Sequence, residues 1–125
     1  MDNLQFIIEK QKEFQLKLNN DIENMSDFDK SQFVKNQLMF AVAESVECAS
    51  ELRWYKPWKN YDNWSQEKIK KQKQLAQEEW LDTLLFVINA GIALDIDSNK
   101  ALELYKEKRE LNIRRQEDST LGYIK

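Results

Sequence analysis

At 125 residues the chain suits one domain, and a 42% hydrophobic content supports a single modest core. With no histidine and one cysteine it lacks the central residue of the usual zinc sites, serine triads and cysteine-histidine dyads, and it cannot form an internal disulfide, so its chemistry falls to carboxylates, lysines, arginines, tyrosines or a metal. A net charge of −3 and a pI near 5.1 argue against a nucleic-acid polymer as partner, and the absence of a bilayer-length apolar run or a signal pattern points to the cytoplasm and to no membrane association.

Two glycines and one proline in the whole chain, with charged residues spread among apolar ones at three- and four-residue spacing, predict an almost entirely helical protein. The first helix is expected at about 3–22, with Leu4, Ile7, Ile8, Phe14 and Leu18 on its apolar side, followed by a loop near Asn24–Ser26. The second is expected at about 28–54, with an apolar stripe of Val34, Leu38, Ala41, Cys48 and Leu52, ending at a tryptophan- and lysine-rich connection that contains Pro57. The third runs from about Gln66 to Leu94; its first turns are lysine-rich and its last part, "LLFVINAGIAL", is apolar all round, as befits a central helix. The fourth covers about 98–116, with Asp97 or Ser98 as N-cap. No repeat, low-complexity segment or linker interrupts residues 1–125, which read as one domain.

Acidic residues interrupt two of the apolar lines. On the second helix Glu44, Glu47 and Glu51 continue the line of Phe33 and Phe40; on the third, Glu79 and Asp82 align with Leu75, Phe86 and Asn89. Burying even one unpaired carboxylate costs several kcal/mol, so something positive must lie between the two helices. Lysine or arginine salt bridges are one answer. A di-iron bundle is a second, but its Glu-x-x-His pairs have no histidine to draw on. The third, favoured here, is a hard divalent cation such as magnesium, which takes oxygen ligands and binds together with substrate phosphates.

The last helix supplies cations in register. Tyr105, Lys108, Asn112 and Arg115 form one stripe, a candidate phosphate clamp. The helix dipole alone would account for Arg114 and Arg115 at the C-terminus, less well for Lys108 and Asn112.

Glu44-x-x-Glu47 followed by Glu79-x-x-Asp82 resembles the ExxE and ExxD signature of the all-α nucleoside triphosphate pyrophosphatases, which include MazG-like enzymes and dimeric dUTPases. The segment "ESVECASELRWYKPWK", with Lys56 and Trp58 after the third acid, and the closing "YKEKRELNIRRQEDSTLGY" are most similar to the dimeric dUTPases of bacteria and phages. The resemblance implies an all-α bundle of four to five helices completed by dimerisation, as a homodimer or a dimer of dimers. It implies that Glu44, Glu47, Glu79 and Asp82 hold magnesium, with manganese as a substitute, and that Glu47 or Glu44 acts in catalysis. It implies that Lys56, Lys59, Lys108, Asn112, Arg115 and Tyr123 bind the triphosphate. The expected reaction is dUTP plus water to dUMP plus pyrophosphate.

For the base and sugar, the segment "FQLKLN" resembles the dUTPase pattern and offers Gln15 and Asn19, four residues apart on the Ile8 line, whose amides can both donate to and accept from a uracil edge. Trp58 is a candidate to stack on the base and Asn89 to contact the sugar. Leu85 stands where many dimeric dUTPases have a histidine, and "DTLLFVINAGIALDID" is similar to a MazG-type enzyme acting on another or several nucleoside triphosphates. A helical regulatory or adaptor protein with no metal is the alternative outside enzymes.

Overall fold

Each helix begins at a serine or aspartate whose side-chain oxygen accepts a backbone N–H three residues on: Asp2 from Gln5, Ser26 from Asp29, Ser65 from Lys68 and Asp97 from Lys100. The computed structural model describes residues 1–117, as α1 (Asn3–Lys17), a 3-10 turn (Ile22–Asn24), α2 (Asp27–Ser50), α3 (Gln66–Ala93) and α4 (Ser98–Glu117), with no strand among the described residues. The all-α expectation therefore holds, with four α-helices.

Two helix ends are set by left-handed residues. Asn19 (φ 66°) follows α1, where the Asn20 N–H donates to the Gln15 carbonyl at 2.9 Å and the Asn19 N–H to that of Leu16 at 3.0 Å. Asp95 (φ 60°) follows α3, with Ile96 N–H to Gly91 O at 2.9 Å and Asp95 N–H to Ile92 O at 3.1 Å. Both are Schellman closures, which asparagine and aspartate tolerate better than most side chains. The first closure stops α1 at Lys17, short of the expected 22. α2 likewise ends at Ser50, before the expected 54, where the chain turns through Trp54 at φ 65°.

Cross-links between the helices fix their directions. Gln5 accepts from the Ser98 N–H, Gln11 donates to Asn89, Asn89 donates to Gln37, and the Cys48 thiol reaches the Ala76 carbonyl. Residue numbers thus rise on α3 as they fall on α1 and α2, so both run antiparallel to α3, which lies between them as the central helix. The apolar core of Ile8, Ile22, Phe33, Ile88, Ile92 and Ala93 sits toward the C-terminal end of α3.

The apolar stripes need correction. Leu4 and Phe14 on α1, Leu38 on α2, and Leu18 and Leu52 just beyond the ends of those helices are exposed. The buried line of α1 is Ile8 and Gln15, and that of α2 is Phe33, Gln37 and Ala41, continued by half-buried Glu44, Cys48 and Glu51. Amides occupy places where apolar residues were expected. No large side chain is completely buried among the described residues, while Trp80, Val87 and Leu94 stand exposed at seven-residue spacing along α3. α4 packs mainly on α1, through its first turn, and buries none of its side chains. Among the described residues no helix is long and apolar enough to cross a membrane.

Candidate active site

The α2–α3 pair is built in layers, because two antiparallel helices bring residues of nearly constant summed number side by side. Gln37 faces Asn89, and Phe40 meets Phe86 with ring centroids 5.5 Å apart. One turn further, Glu44 meets Glu79 and Asp82, each offering a carboxylate oxygen so that all lie within 4.8 Å of one another. Beyond them Cys48 reaches Ala76, and Gln72 donates to the Glu51 carboxylate at 2.8 Å. Two small residues at the Cys48–Ala76 layer let the backbones approach just beside the acids. Glu51 is thereby committed to a link with α3 rather than to the acidic group.

The electrostatics of the acidic layer follow from its crowding. The Glu79 carboxyl is pushed up to about 7 from an ordinary 4.5, first by its hydrogen bond with Glu44, then by desolvation and by the negative charges of Glu44 and Glu47. Glu47 is exposed and acts on Glu79 from outside the three-oxygen group. Salt bridges do not neutralise the cluster: among the described residues the ion pairs are Lys10–Glu13, Lys12–Glu9, Lys12–Glu23 and Lys100–Glu103, all elsewhere. Three converging oxygens without a basic partner suit a hard cation.

The other expected site residues are placed less uniformly. Lys56, Trp58 and Lys59 lie in the α2–α3 connection, beyond the C-terminal end of α2. The Lys56 N–H donates to the Tyr61 hydroxyl at 3.1 Å, which ties that loop down, while Trp58 is 78% exposed. Lys108 and Asn112 share the outer part of α4 with Tyr105, Arg109 and Ile113, and Arg115 lies half-buried on the same helix. α4 starts beyond the C-terminal end of α3, about 16 Å along the axis from Asp82 by helical rise, and its contacts there are with α1. Within one chain the cation stripe is not brought onto the acidic layer. Tyr123 lies outside the described residues.

Gln15 is buried, accepting at Oε1 from Asn20 Nδ2 at 2.8 Å, whereas Asn19 is exposed beyond the helix end and serves the turn. Asn89 is 3% exposed, and its amide is tied to Gln11 through the oxygen and to Gln37 through the nitrogen, one bond at each end. Gln11 and Gln37 were missed in the sequence. Gln37 falls midway between Phe33 and Ala41 at four-residue spacing, which was the available signal.

No curated protein and no solved structure matches the chain. A family model described as dUTPase matches residues 3–104, which takes in α1, α2 and α3, the whole acidic layer and the amides, and stops short of Lys108. The chain belongs to the dUTPase family and is a dUTP diphosphatase-like hydrolase of its all-α kind.

Proposed function

We propose that the chain is a magnesium-dependent pyrophosphohydrolase that converts dUTP and water to dUMP and pyrophosphate. The observation that carries this is the trio of Glu44, Glu79 and Asp82 oxygens within 4.8 Å, without a basic partner among the described residues, in a chain of the dUTPase family. Magnesium bound there, or manganese in its place, would offset the charge of the phosphate chain and make a water molecule more acidic. Glu44, Glu79 and Asp82 would hold the ion, and its charge would favour the ionised form of Glu79. Glu47, exposed beside Glu79 and outside the trio, accepts the proton of the attacking water. Lys56 and Lys59 on the tethered loop neutralise the triphosphate, and Trp58 covers the base.

Lys108, Asn112 and Arg115 act only in an assembly that lays an α4 against the α2–α3 pair. A homodimer provides it, and it also covers Trp80, Val87 and Leu94, which one chain leaves open. The test is pyrophosphate release across dUTP, dCTP, dATP, dGTP, dTTP and the ribonucleotides, with and without magnesium. Release from dUTP ahead of the rest is expected. Comparable release from several nucleotides would favour the MazG-like alternative suggested by Leu85, and no release from any would overturn the enzymatic assignment of the site.

A further inference from the structure

The net charge of −3 conceals a segregation of charge along the chain. Residues 53–73 carry Arg53 and six lysines against only Asp62 and Glu67, so the acidic excess lies wholly in the remainder. The same stretch holds three of the four tryptophans and two of the four tyrosines, interleaved with the cations in "RWYKPWKNYDNW". The fold keeps these residues together. Gln72 donates to both the carbonyl and the carboxylate of Glu51, at 3.4 and 2.8 Å, which pins the end of α2 to the start of α3. Arg53 and Trp54 therefore leave α2 beside the turns of α3 that carry Lys68, Lys70, Lys71 and Lys73.

Two properties separate this surface from an ordinary solvated face. Its cations make no ion pair, since the salt bridges among the described residues join Lys10 to Glu13, Lys12 to Glu9 and Glu23, and Lys100 to Glu103. Its rings are also held in place by cations. The Arg53 guanidinium lies 3.9 Å from the Trp54 ring centroid, and Lys68 Nζ lies 4.5 Å from that of Trp64, which Tyr61 meets edge-on at 5.2 Å. Trp54 is 53% exposed, and it stands at φ 65°, a left-handed conformation uncommon for so bulky a side chain.

We propose that this end of the molecule binds a single-stranded polynucleotide, with Trp54 stacking on a base and Lys70, Lys71 and Lys73 neutralising phosphates, a function separate from nucleotide cleavage. Unpaired lysines attract the backbone of the strand, and every base has a face that an indole can cover. A duplex keeps those faces in its own stack, and its width brings it against the acidic remainder of the chain. An anionic lipid surface would draw on the same lysines, but it also needs an apolar helix face. Ile69, the one apolar residue in the first two turns of α3, is half-buried instead of presented. Lys56, Trp58 and Lys59 stay with the triphosphate.

The experiment measures binding in chelator and without free nucleotide, by anisotropy of labelled oligothymidylate and oligouridylate of about twenty nucleotides, longer than a site of this kind occupies. A trimer, a duplex of equal length and phosphatidylserine vesicles are compared. The wild type should bind the long single strands most tightly, and their ratio tells DNA from RNA as the source. Joint Lys70→Gln, Lys71→Gln and Lys73→Gln should reduce the slope of log affinity against log salt by about two. Joint Lys10→Gln, Lys17→Gln and Lys35→Gln, an equal loss of charge elsewhere, should leave it unchanged. Trp54→Gly, which suits the left-handed turn, should weaken binding about fivefold or more without altering that slope. Failure of the wild type to bind the long strands overturns the proposal, as does equal binding of the trimer or the duplex, or tighter binding to the vesicles. Equal loss in the two lysine variants, or wild-type binding by Trp54→Gly, overturns it as well. Pyrophosphate release is read separately, so dUTP cleavage without strand binding overturns this proposal alone.

Discussion

Glu79 and Glu44 face each other across the α2–α3 interface with carboxylate oxygens within 4.8 Å, and two carboxylates that close ionise together only at a cost, so one of them keeps a proton. That is why the Glu79 carboxyl lies near 7 rather than 4.5. The folded chain then holds a proton that the unfolded chain has released, so this group's contribution to stability is fully present below about 4.5 and is lost as pH rises through about 7. In the presence of a chelator, the melting temperature of the wild type relative to Glu79→Gln should fall across that window. Added magnesium should reverse the loss at the upper end, because the ion takes the place of the proton. A difference between the two proteins that is flat in pH would contradict the shared proton.

The acids should separate into two kinds by mutation. Glu79→Gln removes an oxygen from the trio and relieves its repulsion, so it should raise the melting temperature in chelator and abolish both the magnesium-dependent rise in melting temperature and pyrophosphate release. Glu47→Gln leaves the trio whole. It should retain the magnesium response while lowering kcat by about 100-fold or more, the usual worth of a positioned general base. Equal loss of metal response in both variants would place Glu47 among the ligands instead.

The sequence made the helices and the acidic layer legible because both depend on local spacing. Caps at Ser65 and Asp97 and the three-residue interval between Glu79 and Asp82 are visible without tertiary information. What stayed hidden depends on partners far along the chain. That Asn89 bonds Gln11 and Gln37, 78 and 52 residues away, could not be read from its own neighbourhood in the sequence. Asn19 looked like a helix residue on the Ile8 line, but a glycine-like φ closes the helix there. Leu38 reads as core by hydrophobicity, while the polar Gln37 takes the buried position, since its hydrogen bond with Asn89 makes burial tolerable.

Assembly gives a separate prediction. Trp80, Val87 and Leu94 recur every seven residues and are 60%, 45% and 55% exposed, a seam that water would cover in a lone chain. Light scattering should return at least twice the 15.0 kDa chain mass at micromolar concentration. Val87→Asp, at the centre of the seam and with no contact to the acidic layer, should shift the mass toward one chain and remove activity together. A fully active single-chain species would show that Lys108, Asn112 and Arg115 are not needed at the acids.

The last prediction concerns the small residues beside the acidic layer. Cys48 donates to the Ala76 carbonyl at 3.2 Å, and Ala76 is 7% exposed, so α2 and α3 approach closely one turn from Glu44 and Glu79. A larger side chain there must push the helices apart, at a cost of about 1–3 kcal/mol for overpacking. The same displacement widens the gap between the Glu44 oxygen and those of Glu79 and Asp82. Cys48→Leu should therefore weaken the magnesium-induced rise in melting temperature out of proportion to its effect on the chelated protein. It should also bring the Glu79 carboxyl back toward 4.5, since the contact with Glu44 that raises it would be broken. Cys48→Ala, which adds no volume, should leave both properties close to wild type. If Cys48→Leu destabilises the fold but keeps the full magnesium response, the oxygens do not depend on this close approach, and the packing account of the site fails.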